Sequence, residues 1–462
     1  MKKQLLAIAI SLAGISAAHA TTTYHQPDQK MLDNLESYQV SAANWEEAKY
    51  MRFTMSDAHL YHNYALVTPD AKNKMPLKVV GGFDPAKMMV DDIRPGKKIS
   101  MYNVMRDRAA IQSYVIMNKD GEILSEDYWS NTEETTNHHV MSAHKSFSSM
   151  LAFAVADAGY FKMSDPIGKY APEFKGSKFE NVSIQNFADM TAGVWDLPKS
   201  RDNYHNWGMT GLTTGSWDSH MAVSVGYNGL VKGKDGKMVP PADAYGQLNN
   251  FSEWLKVFAK EVKPSAGPGE FYAYRDVNTE MLGLVVTRTT GLPYAEAFDK
   301  FIWSKGGFNY PVSFFVNQEK ESAASGSMNV TARDFAIGSY LMVHDGKNWK
   351  GEQVFPKSYV DAVKNGDEVV KKAWSQREYE ALVYPQAFYK NQWRTVTDPE
   401  TGKTFSTMIG VNGNFSAFDH ETGNIIAVQG AYREPTGYAY VEVYVRSVIQ
   451  PIFDELAKKN KG

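Results

Sequence analysis

The 462-residue chain contains no cysteine, which excludes disulfides, thiolate nucleophiles, zinc ribbons and iron–sulfur clusters. It also lacks the GxSxG, Walker A, GxGxxG, HExxH and EF-hand patterns, so nucleotide-binding and zinc-protease classes lose their usual support. Excess charge of one sign is missing too, because 49 basic residues oppose 52 acidic ones and no basic cluster stands out. We therefore expect no nucleic-acid partner, and any chemistry must use oxygen or nitrogen side chains.

The N-terminus has the pattern of a secretory signal. Lys2 and Lys3 precede an apolar run over residues 5–18, and residues 18–20 follow the small-x-small pattern of a cleavage site. The run is short for a bilayer span, so we expect cleavage after Ala20 and a periplasmic or secreted protein with no stable membrane span. An uncleaved N-terminal anchor is the alternative.

The chain has the composition of a folded protein, with 43% hydrophobic and 22% charged residues. Two β-rich runs around an Asp-Gly turn predict a hairpin over residues 112–129, and helical spacing predicts a helix over residues 142–159. Strands are also predicted at 405–409, 415–419, 425–429 and 438–445, and helices near 44–61 and at 448–458. Strand-rich ends around a helical middle indicate one antiparallel sheet with a helical region inserted between its parts.

Three parts are expected along the chain. They are a signal peptide (1–20), an N-terminal extension that packs on the core (21–99) and a main domain (100–462). Within the main domain, the sheet part covers about 100–141 and 373–462, and the helical part about 142–372. Residues 198–247 are rich in Gly, Asp, Asn, Trp and Tyr and too long for a plain connector. We interpret them as a structured elaboration around a site, or as a lid.

The strongest local sign of chemistry is the pair Ser142 and Lys145. At three residues apart on a predicted helix, their side chains share one face and can meet. A serine hydroxyl becomes a nucleophile when a neighbouring base takes its proton, and a lysine can be that base if burial or the helix dipole lowers its pKa. On spacing alone, an ordinary surface pair at a helix N-terminus is the commoner explanation.

Six segments that include this pair follow one another in a recognisable order. They are residues 139–147, DPIGKYAPEFKG (165–176), NFADMTAGV (186–194), PGEFYAYRDVNTEMLG (268–283), NVTARDFA (329–336) and IGVNGNFSAFD (409–419). In this order they resemble the serine β-lactamase and penicillin-binding-protein superfamily. The run from Tyr274 to Gly283, the pair Asn44 and Trp45, and the turn at 410–413 are similar to its 6-aminohexanoate-dimer hydrolase branch, which contains amidases and carboxylesterases.

The resemblance implies an α+β fold, an α/β/α sandwich of the β-lactamase type, with an antiparallel sheet flanked by helices and an inserted helical subdomain. It implies that Ser142 is the nucleophile, with Lys145 and Tyr274 as proton-transfer groups. The backbone N–H groups of Ser142 and Val411 would form the oxyanion hole. The substrate-pocket candidates are Trp195, Asp276, Gly410 and Asn412. A glycine at 410 would let a substrate approach the strand closely.

Two positions depart from the family pattern. Met408 stands where penicillin-recognising enzymes have a basic residue, so the charge that would hold a β-lactam carboxylate is missing. Asp276 replaces the family asparagine. An ionised Asp276 would keep Lys145 protonated and leave Tyr274 as the base, whereas a protonated Asp276 could donate like the amide.

We therefore predict a serine hydrolase that cleaves a small-molecule ester or amide and needs no metal or organic cofactor. His138, His139 and His144 cluster without a spaced carboxylate, which is atypical of metal ligands. The alternatives are a D-amino-acid peptidase or β-lactamase acting on cell-wall material, and a non-catalytic protein that binds a ligand in the same cleft. The sequence leaves the physiological substrate and the oligomeric state open.

Overall fold

The computed structural model describes most of the chain. The described residues are 22–40, 44–92, 94–193, 217–225, 231–232, 238–239, 250–374, 379–434 and 437–459. The predicted signal peptide, Trp195 and most of the 198–247 segment lie outside them. Within these ranges, the structure contains no helix that is long and apolar enough to cross a membrane.

The strands of the described residues form two main sheets. In chain order they are β1 (Thr22–His25), β2 (Tyr64–Val67), β3 (Lys78–Val79), β4 (Met89–Asp91), β5 (Lys98–Ser100), β6 (Ile111–Met117), β7 (Glu122–Tyr128), β8 (His138–His139), β9 (Val231–Lys232), β10 (Met238–Val239), β11 (Val312–Phe315), β12 (Met328–Val330), β13 (Phe388–Lys390), β14 (Trp393–Thr397), β15 (Thr404–Gly410), β16 (Asn414–Asp419) and β17 (Ile425–Gly430). The larger sheet has the order β13-β14-β15-β16-β17-β6-β7-β3 and is antiparallel except for the pair β3–β7. The smaller sheet has the order β1-β2-β11-β12-β8.

Helices fill the connections between these strands. In chain order they are α1 (Gln29–Ser37), α2 (Met51–Thr54), α3 (Met101–Asn103), α4 (His144–Asp157), α5 (Ile184–Ala188), α6 (Trp217–Ser224), α7 (Phe251–Glu261), α8 (Asp276–Thr290), α9 (Tyr294–Phe298), α10 (Ser304–Gly306), α11 (Ala332–Val343), α12 (Lys357–Asn365), α13 (Glu368–Trp374), α14 (Tyr379–Val383) and α15 (Gln450–Lys459). Short 3₁₀ turns cover Ala58–Tyr61, Met141–Ala143, Ile167–Lys169 and Pro172–Phe174, and π-helical segments cover Val104–Arg108, Asp299–Trp303 and Ala439–Ile449.

The larger sheet is buried on both faces. Along β17, Ile425 and Ala427 belong to the core shared with α4, α8 and α11, whereas Ile426 and Val428 belong to the core shared with α15. Successive side chains of a strand point to opposite faces, so this alternation places a helical layer on each side of the sheet. Each fully buried Ile or Val side chain contributes roughly 1.5–3 kcal/mol. The predicted α/β/α sandwich of the β-lactamase type is therefore confirmed.

Several predicted elements are confirmed. Strands β6 and β7 form the hairpin, where Gly121 has φ +82° and the Asn118 side chain accepts from the amides of Asp120 and Glu122 at 3.0 and 2.9 Å. The predicted helix over 142–159 corresponds to the 3₁₀ turn and α4, after which the chain turns at Gly159 with φ +87°. Strands β15, β16 and β17 match three of the four strands predicted near the C-terminus.

The predicted strand over 438–445 is wrong. This segment is helical as part of Ala439–Ile449, and the buried residues of that helix form groups about four residues apart, at 439–441, 444–445 and 448–449. That spacing is typical of one face of a helix. The strand was predicted because the segment is rich in β-branched and aromatic residues, but its packing is helical. The predicted final helix over 448–458 is confirmed as α15.

The predicted helix near 44–61 is also wrong in most of its length. Helical structure there is limited to α2 and the short turn Ala58–Tyr61. Between them, Ser56 bridges to His138, and the Met55 carbonyl accepts from the His139 amide at 2.8 Å. These long-range backbone hydrogen bonds replace the ones that a continuous helix would make.

The smaller sheet is absent from the sequence predictions. Its strands are two to four residues long and come from distant segments, so they leave no readable alternation. Strands β11 and β12 interrupt the region that was expected to be helical. This sheet matters for the site, because β8 ends only three residues before Ser142.

Candidate active site

Ser142 lies in a strained turn between β8 and α4. It is the middle residue of the 3₁₀ turn Met141–Ala143. Met141 before it has φ +50°, a left-handed conformation that costs a side-chain-bearing residue about 1–3 kcal/mol. The Val140 amide fixes the entry to this turn by donating to the Met328 carbonyl at 3.1 Å. The fold therefore stabilises a backbone conformation at Met141, directly before the serine, that is unfavourable for the isolated segment.

The Lys145 ammonium is buried and uses its three N–H groups within the site. Its side chain is 1% exposed, and Nζ lies 2.8 Å from Ser142 Oγ, 2.7 Å from Asp276 Oδ1 and 2.9 Å from the Ser325 carbonyl oxygen. An ammonium has three donors and no acceptor, so these three contacts satisfy it. The helical spacing thus brings Ser142 and Lys145 together as expected.

The charge of Lys145 is stabilised by its neighbours. Burial by itself lowers the pKa of this lysine, but Asp276, by charge and hydrogen bonding, and then Tyr274 more than offset that effect, so the pKa of Lys145 lies above its usual value. Lys145 therefore donates to Ser142 Oγ and is not free to accept its proton. Of the two states left open for Asp276, the 2.7 Å contact with the ammonium suits the ionised one.

Tyr274 lies two residues before α8, with two cations near its ring. Lys145 Nζ is 5.0 Å from the centroid of its ring, and the guanidinium carbon of Arg394 is 5.1 Å from it. Arg394 lies on β14 and pairs with Glu380 at 2.8 Å. Two cations therefore lie within cation–π distance of one phenol ring.

Two carboxyl groups that the sequence analysis missed support Asp276 and Ser325. Asp218 Oδ1 accepts from the amide of Val277 at the start of α8, and burial together with the charge of Asp276 raises the pKa of Asp218 to about 7. Glu280 accepts from the amide of Ser325 at 2.9 Å, and burial raises the pKa of Glu280 to about 7. Ser325 is thereby held at its amide by Glu280 and at its carbonyl by Lys145.

Strand β15 ends against the backbone that leads into the serine turn. A Cβ atom on Gly410 would lie far inside van der Waals contact with the Val140 carbonyl oxygen and 3.0 Å from Met141 Cβ. The neighbour that requires a glycine at this position is therefore the protein's own backbone. The close approach brings Val411, the next residue, beside the turn that contains Ser142.

Asn412 anchors the turn after Val411. It is 2% exposed, has φ +68°, and its Nδ2 donates to the Tyr432 carbonyl at 2.8 Å. The Tyr432 amide donates back to the Asn412 carbonyl at 2.8 Å. The described contacts thus give Asn412 a role in fixing the turn, while the pocket candidate Trp195 lies outside the described residues.

His144 connects α4 to the opposite side of the site. The Ser327 amide donates to its Nδ1 at 3.2 Å, so its Nε2 carries the proton and donates to the Tyr294 hydroxyl at 2.8 Å. Burial lowers the pKa of His144 well below its usual value, so the ring is neutral. Within the described ranges, the structure has no group of three His, Asp or Glu residues that could hold a metal.

Met408 contributes no charge to the site. Its side chain is fully buried in the core and contacts α11 at Gly338. The position at which the family resemblance implies a basic side chain is therefore a packing position in this chain.

Comparisons with known proteins show the family of the chain. The beta-lactamase family model matches residues 103–348, which is more than half of the chain. A 6-aminohexanoate-dimer hydrolase from Paenarthrobacter ureafaciens is 26% identical over 322 residues, which are 69% of this chain and 72% of the relative.

Solved structures share the fold. A structure from Bacillus anthracis, described as that of a 6-aminohexanoate-dimer hydrolase, has a TM-score of 0.74 and 20% identity and covers 94% of this chain and 99% of its own. EstCE1, a hydrolase with promiscuous acyltransferase activity, has a TM-score of 0.54 and 13% identity and covers 75% and 97%. The chain therefore belongs to the beta-lactamase family, within the serine hydrolases of that fold.

Proposed function

We propose that this protein is an exported hydrolase that cleaves an ester or amide bond through an acyl-enzyme on Ser142. The observation that carries the proposal is the ammonium of Lys145, which lies 2.8 Å from Ser142 Oγ and 2.7 Å from Asp276, with the ring of Tyr274 beside it. A serine oriented by a buried cation next to a phenol is suited to nucleophilic attack.

In the proposed reaction Tyr274 is the base and acts in its phenolate form, beside the ammonium of Lys145. It accepts the proton of Ser142 as Oγ bonds to the substrate carbonyl carbon, and the N–H groups of Ser142 and Val411 bind the resulting oxyanion. Collapse of this intermediate breaks the ester or amide bond, and Tyr274 returns its proton to the departing alcohol or amine. Water then attacks the acyl carbon with Tyr274 again as base, and Ser142 leaves with its proton restored. Lys145 remains an ammonium throughout.

The substrate is proposed to be a small linear amide or ester without a ring carboxylate. The Paenarthrobacter ureafaciens relative is named as a hydrolase of the 6-aminohexanoate dimer, which is an amide, and EstCE1 is named as an acyl-transferring hydrolase. The uncharged core position of Met408 argues against recognition of a β-lactam carboxylate. We also propose that the protein is exported and that its purified mature form begins at Thr21, which N-terminal sequencing would test.

The test is hydrolysis of p-nitrophenyl esters and p-nitroanilides of short acids by the mature protein. Ser142→Ala should lower the activity by at least about 10³-fold. Ser339→Ala is a matched control, because Ser339 is a buried serine on α11 that bonds to Ser416 outside the site. Retained activity in Ser142→Ala would overturn the nucleophile. Faster hydrolysis of a chromogenic cephalosporin than of the esters would favour the peptidase or β-lactamase alternative, and no turnover of any substrate would favour a binding protein.

A further inference from the structure

Residues 44–62, here called the support segment, pack against both sides of the proposed oxyanion hole. One buried apolar cluster joins this segment to the turn at Ser142 and to the chain after β17. Its buried members are Leu35, Val40, Trp45, Met51, Met55, Ala58, Tyr61, Met141, Phe315 and Ala431, and Val411 is partly buried against it. Met141 contributes the carbonyl half of the peptide group whose N–H belongs to Ser142, and Val411 carries the second N–H.

The backbone of the support segment runs beside the chain that leads to Ser142. The Met55 carbonyl accepts from the His139 amide at 2.8 Å, and the Asp57 amide donates to the Asn137 carbonyl at 2.6 Å. The Asn137 amide in turn donates to Asp57 Oδ1 at 3.2 Å. The segment therefore fixes the position of residues 137–139, directly before the serine turn.

Met51 reaches the second half of the oxyanion hole. Its sulfur lies 3.4 Å from Asn412 Nδ2, the same atom that donates to the Tyr432 carbonyl. Asn412 has φ +68° and Met141 has φ +50°, so each of the two proposed N–H donors adjoins a left-handed residue. Such conformations persist only where the surroundings hold them, and the support segment contacts both residues.

We propose that the support segment is a positioning element of the oxyanion hole, with Met51 fixing the turn at Asn412 and the surrounding cluster fixing Met141. This inference rests on the proposed function and assigns the N-terminal extension a part in the reaction. Oxyanion stabilisation depends on donors aimed at the charge that develops in the transition state, so a small displacement of either amide lowers kcat more than it raises KM.

Met51→Ala tests the proposal, with Met75→Ala as the matched control. Both methionines are 4% exposed, but Met75 belongs to the core shared with α4, α8 and α11. Met51→Ala should lower kcat on a p-nitrophenyl ester by about tenfold or more, with KM changed by less than about twofold. Its affinity for phenylboronic acid, whose tetrahedral adduct places an oxygen in the hole, should fall in the same proportion. Met75→Ala should lose thermal stability to a similar extent and keep kcat and boronate affinity.

A conservative variant separates positioning from simple loss of folding. Met51→Leu keeps the packing volume and should retain kcat within about threefold of the unmodified protein. If Met51→Ala does not fold, the milder Met51→Val should show the same split between kcat and KM. The proposal is overturned if Met51→Ala, or Met51→Val in its place, matches Met75→Ala in kcat and boronate affinity. An active Ser142→Ala would instead overturn the proposed function, so the two failures are distinguishable.

Discussion

His62 is a buried histidine of the support segment, and its protonation should weaken the fold. Its ring stacks on Phe315 with centroids 4.1 Å apart, and its Nδ1–H donates to the Ala58 carbonyl at 3.0 Å. Burial lowers the pKa of His62 from 6.5 to about 4. The unfolded chain therefore binds a proton at His62 near pH 6.5, whereas the folded chain binds it only near pH 4. The contribution of His62 to the free energy of unfolding decreases as the pH falls through this range.

The magnitude follows from the two pKa values. Between pH 7.5 and pH 4.5, a shift from 6.5 to about 4 removes about 2.5 kcal/mol from the free energy of unfolding. His62→Phe keeps an aromatic ring on Phe315 but cannot be protonated. The free energy of unfolding of the unmodified protein should therefore fall by about 2.5 kcal/mol relative to that of His62→Phe over this pH range.

The measurement has to compare the free energy of unfolding of the unmodified protein with that of His62→Phe. Burial raises the pKa of Glu280 and of Asp334 to about 7, so these carboxyl groups make the fold more stable as the pH falls and oppose the histidine. Their effect is common to both proteins and cancels in the difference. Urea denaturation followed by tryptophan fluorescence at pH 7.5, 6.0 and 4.5 gives the two free energies. A difference that stays constant within about 0.5 kcal/mol would refute the reasoning.

Three further substitutions test individual contacts. Tyr274→Phe should lower kcat by about 10²–10⁴-fold with little change in KM, and an unchanged kcat would exclude the phenol as the base. Gly410→Ala should cost about 1–3 kcal/mol of stability and lower kcat at least tenfold, because the added Cβ would push β15 away from Val140. Full activity of this variant in a steady-state assay would contradict this explanation. Glu280→Ala leaves the buried amides of residues 324 and 325 without their acceptor, and urea denaturation should register a loss of about 1–3 kcal/mol for each.

The sequence predicted those parts of the fold in which local pattern and packing agree. Hairpin β6–β7 combines β-rich runs with an Asp-Gly turn, and the turn adopts the expected left-handed glycine. The strand prediction for 438–445 was wrong because the composition of this segment favours a strand, whereas its buried residues lie on one face of a helix. The smaller sheet could not be predicted because its short strands pair with strands from distant parts of the chain.

The residues of the candidate site also differ in whether the sequence could predict them. Ser142 and Lys145 could be paired from the sequence because helical spacing alone brings them together. Tyr274 was found through its family motif. Asp218 and Glu280 could not be found, because each acts on the site by accepting backbone amides 59 and 45 residues away, and a lone acidic residue gives no sign of such a contact. Arg394 was missed for the same reason, since its contact with Tyr274 joins β14 to the start of α8.

Intact mass spectrometry after brief incubation with a fluorophosphonate or an activated p-nitrophenyl ester tests the attack by Ser142 most directly. The proposal predicts one covalent adduct per chain, located by peptide mapping on Ser142 and absent from Ser142→Ala. The proposal rests on the hydrogen bonds that Lys145 makes to Ser142 and Asp276. An adduct on a different residue, or an unmodified chain that still hydrolyses the ester, would contradict it.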